Sequence, residues 1–539
     1  MKVQKYITAV FLILVVFSCS DYLEEVPKSF ASPENYYDAD GAEAAVIGAY
    51  GMLQPTGVYG YLQYFLVTDI IRTATFNTLG GIGTFTHSAE NSEVILPIWQ
   101  DHYQAINAAN AAITNIPGID MDEERKNTLL AEAKFLKALL YFNLIRYFGD
   151  VPYKTVEVAS LDALKDERDP VAFINERIIE DLEFGIEHLG LKGDVAVGRA
   201  TVDAAKTLLA YVYLTRGSMA QRDGLGDGKA DFQLAAQYAK EVINAGRFQL
   251  VDYYPDVFIP ENKNNMEIIF DVQYLSGGFN EGNYIGMHLG LMGPPELGGS
   301  YGSLNATDYY HYLFESTDMV RQQWNTPWVR VIRADSLADF TELWPQRWRR
   351  IKMGKWRRYP VRSAGYNFTD WDINWPVFRY ADVLLIYAEA LNELNNGPDA
   401  EVFDALNQLR SRARNVDGDG TRVAINANKL PRNTTYQANI LPDISAAEYP
   451  DYDSMREYIH FERARELGGE GKRWFDLVRW GELVSQINAV DNFINPYTGD
   501  PEKGDWSLTA GNVREFHRLL PIPSQEFQVN TLMTQNPGF

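Results

Sequence analysis

The chain has 539 residues, 46% of them hydrophobic and 22% charged, and a formal net charge of −23. That length can bury a large core, and so acidic a chain is a poor partner for nucleic acid, because neutralising phosphates takes a basic face. Cys19 is the single cysteine; once it is consumed as argued next, no thiol is left for a disulfide, a thiolate metal site or a cysteine nucleophile, and stability must come from packing.

The chain opens with Lys2 and Lys5, then an apolar run over 7–17 broken only by Thr8. This run is too short to span a bilayer and reads as a signal-peptide core. Ser18 supplies the small residue a signal peptidase needs. Val16-Phe17-Ser18-Cys19 resembles a bacterial lipobox, with Phe17 bulkier than usual at its position. The expectation is a signal peptide over 1–18, Cys19 as the lipid-bearing first mature residue, and a polar tether over 19–35 containing Pro27 and Pro33. Acyl chains rather than a span would then hold the protein at a membrane. Losing Lys2 and Lys5, and no acid, leaves the remainder more negative still.

Helical periodicity dominates from there. A small-residue helix is predicted over 42–53. The next, over 99–116, places Tyr103, Ile106, Asn110 and Ile113 on one face and ends at Pro117-Gly118. A long helix over 129–153 carries Ala131, Phe135, Ala138, Phe142 and Ile145 as a stripe and stops near Gly149 and Pro152. Another follows over 170–189. Helices over 200–217 and 231–246 form a predicted hairpin, and those over 379–394 and 399–413 a second. Small residues at both crossings permit the close approach of stacked tetratricopeptide-type repeats, although the full consensus is absent. The tail returns to helix over 454–467 and 474–483, then to loop and a short strand within 519–539.

The middle differs. Residues 253–301 are rich in Gly, Asn and Pro around one strand-like run at 267–272, and 415–451 is a polar insertion. Trp324, Trp328, Trp344, Trp348, Trp356, Trp371 and Trp375 crowd into the stretch that interrupts the helices, whereas Trp99, Trp474 and Trp480 sit on helices and read as core. A basic run (Arg347, Arg349, Arg350, Lys352, Lys355, Arg357, Arg358) is best explained by pairing with the abundant carboxylates. The histidines are scattered without HExxH spacing, and no Walker loop or dinucleotide fingerprint occurs. Asp417-Gly418-Asp419-Gly420 resembles part of a calcium loop but lacks the later ligands and reads as a turn. Opposed carboxylates for a glycosidase can always be proposed among 72 acids, and no local motif favours them.

Several segments match one family in order: LLAEAKFLKALLYFNLIRYFGDVPY from Leu129, NNMEIIFDV from Asn264, VFRYADVLLIYAEALNEL from Val377, DALNQLRSRA from Asp404, ERARELGGEGKRWFDLVRWGEL from Glu462, and LLPIPSQEFQVN from Leu519, ending in QNPGF. Behind a lipoprotein signal, this set resembles the SusD/RagB family of Bacteroidetes outer-membrane nutrient-binding lipoproteins. Asp21, Glu24 and Glu25 after the lipid cysteine resemble the family's surface-export signal.

The resemblance implies a mainly α-helical, SusD-like fold: four degenerate tetratricopeptide-like helix pairs plus an irregular, loop-rich lobe with a few short strands. It implies one domain over 36–539, with a variable lobe near 253–376 and an insertion near 415–451. It further implies no catalysis and no cofactor or metal. The expected role is to capture an oligosaccharide at the cell surface, as a lipid-anchored outer-membrane protein, and deliver it to a SusC-like TonB-dependent transporter. A peptide cargo, or a carbohydrate-cleaving activity, stays open as an alternative. Glu462, Arg463, Arg465, Glu466, Glu470 and Arg473 have helix-compatible spacing for ion pairs and read as structural.

A sugar site needs flat aromatic platforms with amides or charged groups beside them. By position in the family, the ligand surface combines the loop after the first helix with loops of the later lobe. This nominates Phe76, Asn77, Phe85, Tyr284, Tyr301, Trp324 and Trp328, with Tyr61 and Tyr64 nearby and Asn283, Asn305, Gln323 and Asn325 as further polar contacts.

Overall fold

The computed structural model describes residues 38–539 apart from 74–78, 80, 159–164, 279–280, 291–299, 328, 333–336, 340–350, 357–369, 415–440, 497–498 and 500–505. The expected signal peptide, Cys19, the tether and Asp417-Asp419 therefore lie outside the described residues. So do Phe76, Asn77, Trp328 and all of the basic run except Lys352 and Lys355.

Helices α1 (Ala39–Gly51), α2 (Ile95–Asn115), α3 (Glu123–Phe148), α4 (Val171–His188), α5 (Val202–Arg222) and α6 (Lys229–Asn244) each pack on the next in chain order. The lobe follows with short helices α7 (Ile285–Leu289), α8 (Asp308–Leu313) and α9 (Met319–Asn325). The stack then resumes, α10 (Tyr380–Asn395) packing on α6 and α11 (Ala400–Ala413) on α10. These eight stacked helices make four successive pairs, as expected. Helices α12 (Tyr452–Leu467), α13 (Arg473–Trp480), α14 (Leu483–Asp491), α15 (Trp506–Asn512) and α16 (Glu526–Val529) complete the chain. No helix among the described residues is long and apolar enough to cross a membrane.

Local chemistry sets the helix ends. Asp122 caps α3 by accepting the Arg125 N–H at 2.9 Å, and Gly149 ends it with φ of +72°. Thr201, Asp399 and Asp451 cap α5, α11 and α12 in the same way. Gly217 lets α5 and α6 close on each other: a Cβ there would lie 2.8 Å from the Phe232 ring.

The α3 stripe is wider than its periodicity indicates. From Leu129 onward nearly every side chain is buried, Glu132, Lys137 and Asn143 included. Those polar groups are paired: Glu132 accepts from the Tyr50 hydroxyl at 2.8 Å and Arg199 at 2.7 Å.

Among the described residues, three two-stranded antiparallel sheets form: β1 (Ile71–Thr73) with β3 (Leu304–Ala306), β2 (Ile268–Val272) with β6 (Trp375–Arg379), and β4 (Val329–Ile332) with β5 (Leu337–Asp339). β2 is the strand expected at 267–272. Its partner β6 runs directly into α10 and welds the lobe to the stack. The short strand expected within 519–539 does not form. The tail instead supplies donors to the open carbonyl end of α3: Leu520 N–H to Tyr147 O at 2.7 Å, and Asn536 Nδ2 to Phe148 O at 2.9 Å.

A buried ionic knot sits where the lobe, α10, α11 and α12 meet. Arg379 donates to Glu267 at 2.6 Å, Glu466 at 2.7 Å and Glu470 at 2.8 Å. Arg321 reaches Glu462 at 2.5 Å and Glu466 at 3.1 Å, and Arg412 bonds both Glu267 and Glu466. Lys355 donates to Glu470 at 2.7 Å. Burial alone would raise the Glu470 carboxyl, but Arg379 and Lys355 override it and bring it down to about 2. The α12 acids thus pair mainly across elements rather than along their own helix; Arg465 with Glu462 is the i,i+3 exception. A second cluster joins Arg463 and Arg479 to Asp476 and Glu389.

Candidate functional site

The four lobe tryptophans among the described residues do not form the surface. Trp324, Trp356, Trp371 and Trp375 are at most 4% exposed. Trp356 packs on Trp375 with ring centroids 5.0 Å apart and on Phe258 at 5.3 Å, and its indole N–H donates to Gly469 O. Phe85 is also core, 6% exposed and packed against His517 at 5.2 Å. The nominated amides are mostly structural. Asn283 accepts the Ile285 N–H and donates to Ile373 O, Asn305 accepts from Lys352, and Asn325 donates to Arg465 O and accepts from Tyr254. Gln323 is half-buried.

What reaches solvent is a tyrosine group around the single turn α7. Tyr61, after the first helix, stacks on His288 with centroids 4.6 Å apart and planes 29° apart. Tyr284, at the start of α7, lies 5.6 Å from Tyr61, and Phe65 packs edge-on against His288 from below. Tyr61 and Tyr284 are half-buried. Tyr301 pairs its backbone N–H with Met287 O at 3.0 Å, and its side chain is 58% exposed. The structure therefore brings Tyr61, Tyr284 and Tyr301 to one turn, while Phe85 and Trp324 go to the core.

The core tryptophan Trp371 fixes this turn. Its backbone pairs with that of Asn283 in both directions, at 3.1 and 3.3 Å. Its ring lies so close under Gly286 that an added Cβ would fall 1.6 Å from a ring carbon. Tyr284 and His288 stand on the turn so fixed, four residues apart on one face. That i,i+4 aromatic pair was readable in the sequence; its contact with the remote Tyr61 was not.

Among the described residues, the tyrosine group carries no strong charge of its own. Burial lowers the His288 imidazole to about 4, so it is neutral near pH 7, and its Nδ1 lies 3.1 Å from Ser303 Oγ. Its other nitrogen meets no carboxylate among the described residues, so this pair lacks the orienting acid of a hydrolytic triad. Residues 298–302 also read Gly-Gly-Ser-Tyr-Gly, the spacing of a nucleophile elbow. An elbow needs its serine exposed between a strand and a helix. Ser300 is instead 3% exposed, its Oγ accepts the Gly302 N–H, and the chain continues into β3. The chemistry on offer is flat rings with hydroxyl tips, suited to a ligand with apolar faces and polar edges.

A stack of helix pairs carries an irregular, aromatic-tipped lobe. Sequence comparison gives its lineage. The model described as SusD family matches residues 334–539, and one described as starch-binding associating with outer membrane matches 70–214. A SusD-like protein of Formosa agariphila is 27% identical, covering 99% of this chain and 98% of its own. Among solved structures, a SusD homolog from Bacteroides thetaiotaomicron superposes with a TM-score of 0.74 at 24% identity, covering 94% of this chain and 98% of its own. A laminarin-binding SusD-like protein superposes with a TM-score of 0.69 at 23% identity, covering 94% and 100%. The chain belongs to the SusD-like family.

Proposed function

We propose that this protein is a surface lipoprotein, anchored in the outer membrane through Cys19, that captures an oligosaccharide and delivers it to a SusC-like TonB-dependent transporter without cleaving it. The observation that carries the ligand class is the Tyr61–Tyr284–Tyr301 group on the braced turn α7. Its rings offer broad apolar surfaces for sugar C–H faces, its hydroxyls suit sugar edges, and the uncharged side chains of these tyrosines suit a neutral glycan. A starch-binding family description and a laminarin-binding structural neighbour support the same class. The lipobox-like segment at 16–19 supports the anchor.

Calorimetry with starch, laminarin, xylan and galactan oligosaccharides tests the reading. One of them binds, and replacing both Tyr284 and Tyr301 with Ala weakens it. Binding of oligopeptides with no saccharide response would overturn the glycan class. Shortened products after incubation with polysaccharide would overturn the non-catalytic role.

A further inference from the structure

A groove of about 480 Å³ lies between α2, the segment after α3 and the C-terminal helix α16, and shares no residue with the tyrosine turn. One face of α2 lines it with two rings followed by amides. Trp99 and Tyr103 sit with centroids 4.9 Å apart, and Gln104, Asn107 and Asn110 continue the wall. These residues recur at three- and four-residue steps, so the helix presents them together.

Most of the wall is braced. Tyr103 donates to Pro152 O at 2.9 Å, and Asn107 accepts the Val158 N–H at 2.7 Å. Asn110 is fully buried and donates to Lys154 O and Val156 O. Its Oδ1, however, is buried and accepts no hydrogen bond from any described residue. The charge balance is close to neutral: Lys154 is held by Asp166, and Glu526 accepts the Trp99 indole N–H while burial raises its carboxyl.

From these features we infer that the groove is a second binding site, for a neutral saccharide of one or two rings. The exposed amides Gln100 and Gln104 bond the ring edges, and Tyr103 faces the C–H side. The volume lies in the range of small-molecule sites, and a few fixed polar groups beside aromatic walls are what such sites use for orientation. This assignment stands on the groove's own geometry and does not depend on the ligand of the tyrosine turn.

Photo-labelling of the full chain with diazirine-tagged maltose, cellobiose and laminaribiose tests it. Saturable adducts are expected on the peptides carrying residues 99–110 and 526–530, displaced by excess untagged disaccharide. Gln104→Trp, which fills the groove from an exposed position, is expected to cut that labelling about tenfold while leaving labelling of the peptide with Tyr284 unchanged. The milder Gln100→Ala/Gln104→Ala chain, checked for an unchanged melting temperature, is expected to cut it about fivefold, the scale of one or two hydrogen bonds. No displaceable label on the groove peptides from any of the three sugars would overturn the assignment. Labelling that persists unchanged in both variants would also overturn it.

Discussion

Two regions of this molecule use polar and aromatic residues in opposite ways. Around Arg379 every charged group is turned inward and matched: Glu267, Glu466 and Glu470 are met by Arg379, Arg412 and Lys355 with almost no exposure. Around α7 the tyrosines are half-covered or exposed, on a footing tied down by Asn283, Trp371 and Gly286. The lesson is that residue type alone does not mark the binding surface. Trp324, Trp356, Trp371 and Trp375 build the foundation of the lobe, and tyrosines with polar tips face the solvent.

Breaking the foundation has the largest expected effects. Arg379→Ala strips three buried carboxylates of a shared partner and is expected to destabilise the fold by about 3–5 kcal/mol, read by chemical denaturation. Trp324→Ala, at 4% exposure, is expected to lose a similar ~3–5 kcal/mol through cavity formation, so any loss of binding there follows from unfolding.

Acid probes the same interior. Burial lowers His87 to about 3, and His102 and His311 to about 4, from 6.5. The unfolded chain takes up these protons before the folded one does. Stability is therefore complete above about pH 6.5 and falls as pH drops toward 4, by roughly 3 kcal/mol per histidine at most. Denaturation midpoints measured across that window are expected to decline, and His102→Gln is expected to flatten the decline.

Changes at the tyrosine turn sharpen the contrast at lower cost to the fold. Gly286→Ala drives a methyl into the Trp371 ring and is expected to cost about 1–3 kcal/mol while displacing Tyr284 and His288, so binding falls more than stability does. Tyr301→Ala is expected to leave the melting temperature unchanged and weaken glycan binding by about 1–2 kcal/mol, close to tenfold.

The scaffold was largely legible. Gly149 and the three-to-four spacing placed most helices to within a few residues, because those signals are local; the start of α3, set by the Asp122 cap, lies six residues before the expected 129. The knot was legible as structural but not in its pairing, since Glu466 finds Arg321, Arg379 and Arg412 from three other elements. The tail strand was misread because Asn536 and Leu520 bond to the end of α3, a partner far away in sequence. At the site, Tyr284 and Tyr301 were legible as lobe aromatics. The burial of Trp324 was not, because tryptophan enrichment gives no direction for the side chain. The stacking of Tyr61 on His288 joins segments that only the folded β1–β3 and β2–β6 ladders bring near.

The most direct test is a crystal structure of the protein soaked with the oligosaccharide that binds best in calorimetry. The account predicts sugar rings lying on Tyr284 and Tyr301 within van der Waals contact, with α7 and Trp371 unmoved. Sugar bound elsewhere with these tyrosines bare, or rings packed on Trp324 or Trp371 after the lobe has opened, would contradict it.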